Sequence, residues 1–171
     1  MTIRMNNMML NFVLDQMKHR CIIKDDDYWK LELKNGDTFT HSDATTLLFR
    51  TKEGFTIRIF YINWGIGPTY FNGYVSIPST PEFTHLISWI NDNPHYDDLT
   101  ENLRLKVQLT FKEGLEYGWD HAHGWDADLG KPLAFQVHKQ ASGPIQVYDE
   151  ARGVIESMIK FNNELLRQKS S

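Results

Sequence analysis

Val147, Ala151, Val154, Met158, Phe161 and Leu165 recur at spacings of 4, 3, 4, 3 and 4 residues near the end of this 171-residue chain. An α-helix completes a turn every 3.6 residues, so these positions form one apolar stripe that a folded chain has to bury. The spacing predicts a carboxy-terminal helix of roughly twenty residues. Two heptads and a little more make a short coiled-coil seam, so the stripe is expected to lie across a sheet instead.

Runs of period two supply that sheet. Trp29–Lys34 alternates and meets Asn35-Gly36, a strong hairpin signal. A two-residue turn there would set Phe39 opposite Glu32; one more loop residue sets it opposite Leu33, which is the preferred reading. Phe55–Ile62 begins by alternating and ends apolar on both sides, as a central strand does. A further strand is expected from Tyr70 to Ile77. Leu103–Phe111 alternates most cleanly of all, with Leu103, Leu105, Val107, Leu109 and Phe111 on one face. After Lys112-Glu113-Gly114, Leu115–Trp119 is expected to return antiparallel to it.

Helices complete the list. Met5, Met8, Met9, Phe12, Val13 and Met17 predict an amphipathic helix over 4–18, whose methionine face serves either the core or a partner. Thr80-Pro81 opens a middle helix with Phe83, Leu86, Ile87 and Ile90 inward, ended by Asn93-Pro94. The expected fold is α+β: an antiparallel or mixed sheet of about five to seven strands, packed with an N-terminal helix, a middle helix and a long C-terminal helix. One domain over 1–171 is expected, with 1–50 as a helix-plus-hairpin extension on a core of 51–171.

Composition removes several functions. With 41% hydrophobic and 23% charged residues the chain is not of the disordered class. A net charge of −4 gives no basic field, so nucleic acid is not an expected partner. No apolar run is long enough to span a bilayer, so no membrane association is expected. Cys21 is the single cysteine, which rules out a disulfide framework and a cysteine-based zinc site. Met1–Leu10 has no signal-peptide cleavage pattern, so a cytoplasmic home is expected.

The chemistry concentrates in Gly118–Asp128, which holds two histidines, three aspartates and two tryptophans within eleven residues. His121 and His123 are two apart, so on an extended chain both imidazoles point to the same side. Asp120 and Asp126 can add carboxylates. Nitrogen and oxygen ligands with an open position are how hydrolytic zinc, manganese or iron sites are built, so the expected cofactor is a divalent transition metal on Asp120, His121, His123 and Asp126. The competing reading is a polar loop tied to its own backbone. Trp119 and Trp125 flank the segment as walls for a flat ligand or as core. Lys106, with Arg104, can hold a phosphate or carboxylate nearby, or belong to a solvated sheet face. A cupin would need a second Pro-x-Gly motif with His downstream, and the two-histidine phosphoesterases need paired His-x-Ser/Thr motifs; the chain has neither.

Asn72-Gly73-Tyr74-Val75-Ser76-Ile77-Pro78 resembles the Gly-Tyr-Val-x-(Val/Ile)-Pro strand of a family of small phage proteins. In that family a His-Gly-Gly-Leu-Thr-Tyr strand follows, then a Gly-Phe-Asp-Cys-Ala-His-x-Gly-Asp block and a closing helix. Leu109-Thr110-Phe111 is similar to the end of the second motif. Gly118, Trp119, Asp120, Ala122, His123 and Asp126 resemble the third, and Tyr148–Leu166 resembles the helix. The likeness spans about residues 50–167. It departs where the family cysteine becomes His121 and the family histidine becomes Lys106. Histidine cannot replace a nucleophilic thiolate but can replace a metal-ligating one. The resemblance implies a phage origin, hence host cytoplasm, and a shared fold. Two functions follow as expectations: metal-assisted hydrolysis of a nucleotide-like small molecule, or binding of a host or phage protein to blunt a defence system. Substrate, target and oligomeric state are not legible.

Overall fold

The computed structural model describes residues 21–22, 30–43, 46–62, 70–120 and 143–170. The expected helix over 4–18 lies outside them. Among the described residues eight strands form one antiparallel sheet: β1 (Cys21–Ile22), β2 (Lys30–Leu33), β3 (Thr38–Asp43), β4 (Thr46–Arg50), β5 (Thr56–Ile62), β6 (Tyr70–Ser76), β7 (Phe111–Glu113) and β8 (Glu116–Trp119). Their order is β1-β2-β3-β4-β5-β6-β8-β7, a meander up to β6, after which β8 inserts beside it and β7 takes the edge. Seven strands have three or more residues and β1 has two. The α+β class therefore holds, and the sheet is antiparallel throughout. Strands β1–β4 pair in series onto β5, so the described part of the first fifty residues continues the same sheet.

The 30–43 hairpin has the longer loop expected, but the extra residue falls on the other side of it. Leu33 N–H donates to Asp37 O at 2.7 Å and Leu31 stands opposite Phe39, so Lys34, not Asp37, joins the loop. Gly36 takes φ 93°, which suits glycine. The Asp37 side chain is fully buried, drawn inward by the Tyr148 hydroxyl at 2.6 Å and by Lys52 N–H at 3.2 Å. The next turn repeats the plan, with Thr51 paired to Phe55 around Gly54 at φ 96°.

Helix α1 (Thr84–Asp92) follows a single 3-10 turn at Pro81–Phe83; Phe83 of the turn and Leu86 and Ile90 of the helix are buried as expected, and Ile87 is half-buried. Helix α2 (Tyr96–Leu103) was not expected. His95 caps it, its Nδ1 accepting from Asp97 N–H at 3.2 Å while Asp98 accepts from His95 N–H at 3.3 Å, a reciprocal capping box. This helix ends the predicted Leu103–Phe111 strand before it starts. Arg104 closes α2 in the left-handed region, Leu105 N–H bonds back to Thr100 O, and Leu109 N–H bonds to Thr100 Oγ1. Those backbone groups are satisfied by the helix end, so pairing begins only near Phe111. The alternation survives as burial: Lys106 and Gln108 are exposed, while Leu109 is fully buried.

Helix α3 (Pro144–Ser170) runs 27 residues. Val147, Ala151, Val154 and Met158 are all buried, and the helix lies against β5 and β6 with α1 and α2 alongside. The stripe faces the sheet, as predicted. Asn162, also buried, ties α3 to α1: its Oδ1 accepts from Leu86 N–H at 3.0 Å and its Nδ2 donates to Glu82 O at 2.9 Å. Strand β5 shows the two faces of the sheet, with Ile57, Ile59 and Tyr61 buried and Thr56, Arg58 and Phe60 half-buried. Among the described residues no helix is long and apolar enough to cross a membrane.

Candidate functional site

Strand β8 delivers Asp120. Alternation along Glu116–Trp119 sends Tyr117 and Trp119 to the helix-covered face and Glu116 and Gly118 to the other, and Asp120 follows directly. The Asp120 carboxylate is half-buried, and its Oδ2 accepts from Thr110 Oγ1 at 3.2 Å. A hydroxyl from the neighbouring strand entry thus orients the first acid of the segment.

A charged and aromatic cluster lies beside it on the half-buried face. The Arg58 guanidinium sits 4.6 Å from the Tyr74 ring centre and 2.9 Å from Glu116 Oε1. Ser76 Oγ donates to Glu116 Oε2 at 3.3 Å, and Phe111 meets Tyr74 edge-on at 5.4 Å. Gly118 makes this possible, since a Cβ there would fall 2.5 Å from Tyr74 Cδ1. Burial pushes the Tyr74 hydroxyl above its usual range; Arg58 opposes that, while the Glu116 and Asp120 charges add to it. The tyrosine therefore stays neutral at neutral pH.

Of the two expectations for Trp119, ligand wall or core, its position matches the core. It is 2% exposed, packs on Gly73 and Val147, and donates from Nε1 to Glu150 Oε1 at 3.3 Å. Strand parity would have found this, because Tyr117 and Trp119 share a face two residues apart. Lys106 is exposed, and it belongs to the connection after α2, where it lines a cleft against α3 rather than a strand face. His121, His123, Trp125 and Asp126 lie outside the described residues. Among the described residues no three His, Cys, Asp or Glu side chains group as metal ligands.

Sequence reasoning missed a second polar centre. Asp37 Oδ2 accepts from the Tyr148 hydroxyl, which accepts in turn from Asn35 Nδ2 at 2.8 Å. Arg152 stands 3.5 Å from Asp37 and 2.7 Å from Glu53, closing a network that fastens both glycine turns to α3. Burial first, and then the hydrogen bond to Asp37, raise the Tyr148 hydroxyl well above its ordinary range. Asp37 and Tyr148 are 111 residues apart, so no local pattern announces them. The cluster is fully engaged in holding the fold together. Compared with known protein families, curated proteins and solved structures, the chain matches none.

Proposed function

We propose that this is a phage-type accessory protein that binds a divalent transition metal, zinc, manganese or iron, through Asp120, His121, His123 and Asp126. The observation that supports it is Asp120: an acid at the end of a sheet strand, its carboxylate aimed by the Thr110 hydroxyl. A first ligand fixed on a rigid element is what a preorganised metal site needs. A bound metal of this class would supply an activated water for hydrolysis of a nucleotide-like ligand. The chain's own residues would orient the carboxylate through the Thr110 hydroxyl.

Metal analysis of the purified protein, with melting in the presence and absence of added zinc or manganese, tests this. One bound equivalent and a metal-dependent rise in melting temperature are expected, because a ligand stabilises only the state that binds it. His121→Ala and His123→Ala should each abolish the rise and leave the metal-free melting temperature unchanged. No bound metal, or a rise that survives both changes, overturns the proposal and favours binding of a host or phage protein.

A further inference from the structure

Between the connection that follows α2 and the flank of α3 lies a cleft of about 590 Å³. Arg104 and Lys106 reach it from one side and Lys160 from the other, with Ser157 on α3 beside Arg104 and Lys160. None of these three cations has an acidic partner among the described residues. Acids line the same region: Glu150 accepts from Trp119, Glu156 lies 3.7 Å from Arg152, Asp149 also has a partner, and Glu164 borders Arg104, Ser157 and Lys160. Leu105, Val107 and Val154 give it an apolar floor.

Two residues lining this cleft are poor local choices for the fold. Arg104 holds φ 52° and ψ 49°, the helix-ending left-handed conformation that glycine adopts freely and a side chain resists. Gly153 sits in the middle of α3, where alanine would favour the helix, and among the described residues nothing lies within 4 Å of the Cβ it lacks. No packing contact with a described residue therefore requires that glycine. Local costs that serve no packing purpose concentrate at binding sites.

We infer that this cleft binds a small phosphomonoester of nucleotide size. Its phosphate would be held by Arg104, Lys160 and the Ser157 hydroxyl, and its body would lie over Leu105 and Val107 in the space left by Gly153. A guanidinium fork, an ammonium and a hydroxyl together match a dianionic phosphate, and the volume lies within the range of small-molecule sites. The inference is independent of the metal proposal, since it uses none of the proposed ligands.

Calorimetric titration of the full chain with AMP, inorganic phosphate and adenosine, all in EDTA, tests it with the metal excluded. AMP should bind, inorganic phosphate should bind at least tenfold more weakly, adenosine should not bind, and added salt should weaken both anions. Arg104→Gly removes a cation and the unfavourable backbone conformation together, so it should melt no lower than the parent and lose tenfold or more in AMP affinity. Gly153→Leu should also melt no lower, lose AMP and keep inorganic phosphate. Absence of AMP and phosphate binding at millimolar concentration would overturn the inference. So would unchanged AMP affinity in Arg104→Gly and Lys160→Ala.

Discussion

Gly73 and Trp119 stand opposite each other in the β6–β8 ladder, and the indole occupies the space that a side chain on Gly73 would need. A Cβ at Gly73 would lie 2.5 Å from Trp119 Cζ2 and 2.8 Å from Val147 Cγ1. Gly118 and Tyr74 repeat the relationship one residue along and on the other face. Each glycine seats the aromatic ring of the neighbouring strand, so β8 is gripped from both sides. Gly73→Val should destabilise by about 1–3 kcal/mol through overpacking. A urea midpoint equal to that of the parent would show that the indole can move aside.

Val154 is 2% exposed under the sheet, in the middle of the α3 stripe. Val154→Asp would place an unpaired carboxylate there, at a cost of roughly 2–5 kcal/mol. Thermal melting reads this directly, and a variant that melts like the parent would mean the stripe faces water.

The same substitution in two buried tyrosines should act in opposite directions. The Tyr117 hydroxyl is buried without a hydrogen-bond partner among the described residues, so Tyr117→Phe should leave stability unchanged or raise it by about 1 kcal/mol. Tyr148→Phe deletes the 2.6 Å bond to buried Asp37 and should cost about 1–3 kcal/mol. Equal effects in urea unfolding would contradict the two environments.

Alkaline pH should weaken the fold through the same residues. Burial holds Tyr117 and Tyr148 above the usual tyrosine range, helped by the Asp98 charge at Tyr117 and the Asp37 hydrogen bond at Tyr148. Below about pH 10 both are protonated whether the chain is folded or not, and their contribution is complete. Above it the unfolded chain loses its protons first, so stability falls by up to about 1.4 kcal/mol per pH unit for each tyrosine. Urea unfolding at pH 9 and pH 11 should show this loss, and Tyr148→Phe should flatten it. A parallel slope in that variant would assign the loss to other groups.

Sequence periodicity located the elements that bury one face at a fixed repeat. The α3 stripe, β5, β6, α1 and the return strand β8 were all legible on that basis. It misplaced Leu103–Phe111 because alternation records which side chains turn inward, and a chain bonded to the end of α2 alternates as well as a strand does. Helix α2 escaped because its cap is His95, outside the Ser, Thr, Asp and Asn set that marks helix starts. Asp120 was singled out by local composition, whereas Lys160 and Gly153 join Arg104 and Lys106 only through tertiary packing. Asp37 reads locally as a turn acid, and its burial depends on a tyrosine from the far end of the chain.

The edge strand Phe111–Glu113, outside β8, has only 3 residues. An open strand edge is a template on which another chain can extend the sheet, and the risk of aggregation grows with its length. This edge offers only a few unpaired amides. Strand addition at it would therefore be a weak route to self-association or to capture of an extended peptide. A protein partner meeting the sheet on this side would be held by side chains, and selectivity would then come from shape and charge rather than from backbone pairing.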